Sequence, residues 1–127
     1  MRKLVYPELS YKIIGIAFKV FNDLGYGHQE KYFQRAMAME FTKEGIKYER
    51  EKEIKLNYQG ECIGKYFIDF VIENKILLEL KILPYLKHVH IKRALEYLNE
   101  AKLKLAILIY FTRDGVRYRR IINPNFN

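Results

Sequence analysis

Apolar residues recur at spacings of three and four through residues 9–24, where Ile13, Ile14, Ala17, Phe18, Phe21 and Leu24 make the stripe of an amphipathic helix. Ser10 is its candidate cap and Gly25 its candidate stop. After a turn through GYGH, a second helix is expected over residues 29–44, with Phe33, Ala36, Met37, Met39 and Phe41 available for its buried side and Gly45 ending it. The period then changes. IKYEREKEIKLNY alternates charged with apolar residues and reads as one or two strands with a wet face. CIGKYFIDFVI, after a turn at QGE, reads as a mostly buried strand, and ILLELKIL, after a turn at Glu73, Asn74 and Lys75, as another, closed by Pro84. Ile91, Ala94, Leu95 and Leu98 mark a third helix over residues 88–102. LKLAILIYF, an RDG turn and VRYRRII finish the chain as two strands. The order helix, helix, about three antiparallel strands, helix, two strands predicts an α+β fold with one mixed β-sheet flanked by α-helices.

Two of these strands carry charge inside apolar runs: Asp69 in YFIDFVI, and Glu79 with Lys81 in ILLELKIL. Residues two apart on a strand share a face, and charges in such a setting need a partner or a metal. Whether Asp69 joins them is a matter of register. A two-residue loop at Asn74 and Lys75 sets Asp69 opposite Leu80 and on the other face from Glu79. A three-residue loop, or one bulge, sets Asp69 across from Glu79, so that Asp69, Glu79 and Lys81 share one face. The second arrangement is expected, because one site then accounts for all three charges. Two carboxylates brought together there suit Mg²⁺ or Mn²⁺, with Lys81 placed to orient a water or offset extra negative charge. The spacing alone also fits a plain ion pair.

The bulk numbers narrow the classes. A chain of 127 residues, 50% hydrophobic and 30% charged, has the size and composition of one folded domain, 1–127. Its one cysteine, Cys62, can form no internal disulfide and there is no Cys cluster for zinc, which favours a reducing, cytoplasmic setting. No signal peptide is expected at the N-terminus, and no apolar run approaches the roughly 20 residues of a membrane span. The net charge of +8 is uneven: residues 1–82 hold 14 Lys and Arg against 12 Asp and Glu, and residues 83–127 hold 9 against 3. The densest basic stretch, RDGVRYRR, sets Arg113, Arg117, Arg119 and Arg120 around Tyr118, a pattern suited to phosphate contact and stacking on nucleic acid, and equally to a solvated hairpin.

Asp69 followed by Glu79-Leu80-Lys81 resembles the core motif of the PD-(D/E)XK nuclease superfamily. More narrowly, GHQEKYF, KYFIDFVIENKILLELK and HIKRALEYLNEAKLKLAILIYF resemble the small GxxExxY proteins placed in it, over nearly the whole chain. The resemblance implies a restriction-endonuclease-like core and a metal-dependent phosphodiesterase site. Asp69, Glu79 and Lys81 match its strand residues, and Glu30 matches its helix glutamate, giving Glu30, Asp69 and Glu79 as metal ligands and Lys81 as catalytic assistant. Glu30 also falls in the first turn of its helix, where the dipole favours an anion. There are two departures. Phe33 stands at the family's name-giving tyrosine, so that position is expected to pack, and Arg93 replaces a glutamine in the third helix, shifting it toward substrate contact or removing activity. His90 and Tyr97 are further candidates for contact with nucleic acid; zinc ligation by the His88/His90 pair is not expected, for want of a third ligand. The leading reading is a nuclease acting on DNA, with a homodimer where both strands of a duplex are cut. The alternative is an inactive nucleic-acid- or partner-binding module, and a purely structural hairpin dimer leaves the buried charges unexplained.

Overall fold

The computed structural model describes residues 4–126. The first helix, α1 (Pro7–Leu24), begins three residues before the expected cap. Pro7 occupies the first helical position, where its missing N–H costs nothing, and Tyr6 precedes it in the left-handed region. Ser10 is therefore no cap: it lies buried inside the helix, its Oγ without a partner among the described residues. The buried face also sits one position round from the expected stripe. It is Ser10, Ile13, Ile16, Ala17 and Val20, while Phe18 and Leu24 are exposed. In α2 (Glu30–Lys43), Phe33, Gln34, Met37, Ala38 and Phe41 are buried and Met39 is 62% exposed. Gly45, at φ 68°, ends that helix, with Ile46 N–H returning to the Phe41 carbonyl.

One five-stranded sheet runs β1 (Tyr48–Tyr58), β2 (Glu61–Ile72), β3 (Ile76–Ile82), β4 (Leu105–Thr112), β5 (Gly115–Ile122), in spatial as in chain order. All neighbours are antiparallel except β3 and β4, which are parallel and joined through α3 (His88–Ala101). Helices α1 and α2 cover one face, where Ile13, Phe33 and Phe41 pack on Phe70, Leu78, Ile107 and Phe111. Helix α3 covers the other, with Ala94, Tyr97 and Leu98 on Ile68, Val71, Leu77 and Leu108. Phe33 is fully buried, stacked on Phe111 with ring centres 4.3 Å apart. A phenyl ring suits that slot, since a tyrosine there would bring a hydroxyl into an aromatic core.

The β2–β3 loop is the three-residue one. Glu73 and Asn74 are both left-handed, and Lys75 N–H closes the turn on the Ile72 carbonyl. Glu73 is pinned to the start of β1: its N–H donates to the Lys47 carbonyl and its carboxylate accepts from Lys47 N–H at 2.8 Å. That loop pairs Ile72 with Ile76, Val71 with Leu77 and Phe70 with Leu78. The next step in register is Asp69 opposite Glu79. There the ladder stops and the two strands part.

The same step is irregular on β1. The β1–β2 ladder keeps one register from Tyr48↔Ile72 to Leu56↔Gly64 but skips Glu51 and Asp69. Glu51 has φ 53°, a left-handed residue inside a strand. The pair of strands turns over at that step. Tyr48, Phe70 and Ile72 belong to the α1/α2 core, whereas Ile54, Tyr66 and Ile68 pack with α3.

Candidate active site

The parting of β2 from β3 leaves Leu80 N–H without a strand partner, and the Asp69 carboxylate takes it: Oδ2 accepts at 2.7 Å. Oδ1 accepts from the Gln34 side-chain amide at 2.9 Å. Asp69 is 9% exposed, and burial pushes its pKa up against those hydrogen bonds and the nearby Lys81 charge, which pull it down. Glu79 is 6% exposed on the α3 face. Burial first, and then the Asp69 carboxylate, push it to about 8. Its Oε2 lies 3.7 Å from Lys81 Nζ, and its Oε1 has no hydrogen-bond partner among the described residues.

Glu30, the first residue of α2, faces the same opening. The helix dipole does not keep it ionised: burial, then the Asp69 carboxylate, then Glu51, outweigh Lys81 and raise it to about 7. Three carboxylates, Glu30, Asp69 and Glu79, thus act on one another around this opening beside one ammonium. Such a donor set fits a divalent cation, which offsets the excess negative charge and meets the unpartnered oxygen of Glu79 with the hard oxygen ligands it prefers. Among the described residues no three His, Cys, Asp or Glu side chains are grouped so as to hold a metal ion by themselves, so a cation here would depend on water and substrate oxygens for most of its shell.

Helix α3 adds a wall in which Glu79, Lys81, His90, Arg93, Ala94, Tyr97 and Leu108 line one small cleft. His90 Nδ1 accepts from Lys87 N–H at 3.0 Å, capping the helix start. Burial, and then the charges of Lys81, Lys87 and Arg93, lower its pKa. Arg93 lies over the Tyr66 ring, 5.4 Å from its centre, and Tyr66 meets Tyr97 at 5.5 Å, so the arginine is part of a stack beside the cleft. Tyr97 is raised to about 12 by burial and by the Glu79 carboxylate.

The basic hairpin divides between the two faces. Pairing of Lys81 with Tyr110 and of Tyr110 with Arg117 sets these three in a row on the α3 face, and Arg119, opposite Leu108, lies beside them in line with Glu79. Adjacent strands are about 4.8 Å apart, so Arg117 stands roughly 10 Å from Lys81 along the row. Arg113 is exposed at the hairpin end. Tyr118 and Arg120 alternate to the α1/α2 face, away from the carboxylates, and Arg120 donates to the Val5 carbonyl. Three residues of the site were not foreseen from sequence: Gln34, Arg50 and Tyr110. Arg50 donates to Gln34 Oε1 at 2.8 Å. Helix spacing could have raised Gln34, which stands four residues after Glu30 on the same face.

A mixed sheet held between helices, with carboxylates and a lysine gathered where two central strands part, defines an α+β fold of the restriction-endonuclease-like kind. The chain belongs to the PD-(D/E)XK nuclease superfamily, whose family model matches residues 7–121. Nucleases of that superfamily generally use divalent metal ions. Among solved structures, the crystal structure of SSO0001 superimposes with a TM-score of 0.55 at 20% identity, over 95% of this chain and 59% of that one. The alkaline exonuclease LHK-Exo from Laribacter hongkongensis gives a TM-score of 0.55 at 11% identity, over 98% of this chain and 73% of that one. This chain therefore spans about three-fifths of SSO0001, and at these identities the likeness is one of fold. None of the curated proteins searched matches the sequence. No helix among the described residues is long and apolar enough to cross a membrane.

Proposed function

We propose that this protein is a metal-dependent nuclease that hydrolyses phosphodiester bonds in DNA, of the GxxExxY kind within its superfamily. The observation that carries the reading is the pair of buried carboxylates, Asp69 and Glu79, at the parting of β2 and β3, with Lys81 3.7 Å from Glu79 and one Glu79 oxygen unpartnered. Asp69 and Glu79 would hold Mg²⁺ or Mn²⁺, with Glu30 reaching the same ion through water or directly. What a divalent ion supplies there is a lowered pKa for a bound water and neutralisation of charge building on the phosphate.

The chain's own groups supply the rest. Lys81, one-third exposed and tethered to Glu79, points an ammonium into the opening, where it orients the attacking water and stabilises the extra negative charge on phosphorus oxygens. The row Lys81, Tyr110, Arg117, with Arg119 and Arg113 beyond and Arg93 and Tyr97 on the α3 side, gives the phosphate backbone a basic path to the carboxylates. A homodimer would place one such site on each strand of a duplex. The exposed lone Cys62 suits a reducing compartment, and we place the activity in the cytoplasm.

The test is cleavage of end-labelled duplex and single-stranded DNA, with RNA alongside, in Mg²⁺, Mn²⁺ and chelator. Cleavage that needs the metal and vanishes in Asp69→Ala supports the reading. Salt-sensitive binding with no cleavage under any metal, unchanged in Asp69→Ala, refutes it in favour of a binding module that kept the fold.

A further inference from the structure

We infer that Gln34, oriented by Arg50, is a positioning residue that fixes the Asp69 carboxylate for metal binding; this rests on the metal-site reading above. Gln34 is 6% exposed and sits between two side chains of opposite hydrogen-bonding character. Arg50 only donates, and it donates to Oε1; an ionised Asp69 only accepts, and it accepts from Nε2. The amide therefore has one satisfactory orientation. With Leu80 N–H on Oδ2 and the amide on Oδ1, each Asp69 oxygen is held by one donor and keeps a lone pair for a further bond. Asp69 sits at the step where both ladders lapse, so strand pairing does not fix its direction. The two donors do.

Arg50 adds a second level. It lies on β1 one residue before the left-handed Glu51, and so ties the turnover of the edge strand to α2 through the same amide. Without the arginine, the amide is free to rotate its oxygen toward the carboxylate, which removes the donor from Asp69 and sets two acceptors face to face. Partners of this kind commonly tune metal affinity by 10- to 100-fold.

The experiment measures Mn²⁺ affinity of the full chain by electron paramagnetic resonance, beside thermal melting in chelator. Gln34→Met keeps the volume and loses both hydrogen bonds; it is expected to weaken Mn²⁺ binding about 10-fold or more. Arg50→Met should weaken it several-fold by freeing the amide, and Arg50→Lys, which also only donates, should restore most of the affinity. Gln34→Met and Arg50→Met should melt several degrees below wild type, since each leaves a buried hydrogen-bonding group unsatisfied, so Mn²⁺ is titrated at a temperature where every variant is folded. Cleavage by Gln34→Met should recover at high Mn²⁺, raising the metal requirement and not lowering kcat. Gln34→Met binding Mn²⁺ within twofold of wild type, or Arg50→Lys failing as badly as Arg50→Met, overturns the inference while the metal site stands. Absence of Mn²⁺ binding by wild type overturns the metal-site reading and this inference with it.

Discussion

Removing the charge of Glu79 should make the metal-free protein more stable, and the gain should grow with pH. The carboxyl is 6% exposed, has one unpartnered oxygen, and is pushed from the ordinary 4.5 to about 8 by burial and by Asp69. A folded-state pKa above the unfolded one means the native protein holds the proton more tightly. The stability tied to that proton is fully present below about pH 4.5 and is lost as the pH climbs to about 8. At about 1.4 kcal/mol per tenfold change in acidity, the whole interval corresponds to about 5 kcal/mol. Lys81 loses its partner in Glu79→Gln, and buried carboxylates relax toward water when charged, so roughly half of that, about 2 kcal/mol, is expected as net gain. For a domain of this size that is about 8 °C in Tm. Melting of wild type and Glu79→Gln in chelator, followed by circular dichroism from about pH 4 to about pH 9, should show curves that meet at the acid end and separate steadily above it. Glu30, raised to about 7, leaves the variant a residual slope at lower pH. Saturating Mg²⁺ should reverse the order, since a ligand 100-fold above its Kd stabilises by about 2.7 kcal/mol and the variant has lost a ligand oxygen. A variant less stable than wild type at high pH in chelator would refute the reasoning, because it would mean the Glu79 carboxylate is satisfied by the protein alone.

The other substitutions separate chemistry, binding and packing. Lys81→Met should lower cleavage about 100-fold or more with Mn²⁺ affinity little changed, read by single-turnover kinetics beside metal titration. Arg117→Ala and Arg119→Ala should each weaken DNA binding and reduce the salt slope by about 1 in anisotropy titrations, whereas Arg120→Ala should leave the slope alone and cost about 1 to 2 kcal/mol of stability through its lost bond to the Val5 carbonyl. Phe33→Ala should cost about 3–5 kcal/mol by urea denaturation, given its full burial against Phe111.

Element order was legible because each helix carries apolar residues at helical spacing and most turns, GYGH, QGE, ENK and RDG among them, carry Gly, Asn or Asp between apolar runs. The helix starts were less so. Pro7 and the left-handed Tyr6 open α1, a geometry in which Ser10 is four residues too late to cap, and the true stripe runs through Ile16 and Val20. Phe18 fits the helical spacing and Met39 was counted for its hydrophobicity, yet helices packed on one face of a five-stranded sheet have only a limited arc to bury, and both are exposed.

The site divides along the same line between what is local and what is not. Glu79 and Lys81 share a face by strand alternation, and the position of Asp69 followed from the length of one loop; both are arithmetic on neighbouring residues. Gln34 and Arg50 come to Asp69 only because Glu51 turns β1 over and α2 packs across the resulting gap. Simple alternation carried through Glu51 would have put Arg50 and Ile54 on one face, whereas Arg50 reaches α2 and Ile54 packs with α3. The same limit explains the basic hairpin. Charge density alone weighted Arg117, Tyr118, Arg119 and Arg120 equally, and only the β4–β5 register shows that Arg117 and Arg119 share a face with Lys81 while Arg120 holds the chain near its N-terminus. The carboxylates mark the proposed site, and it falls at the step where both ladders lapse and a left-handed residue, Glu51, stands in register with Asp69.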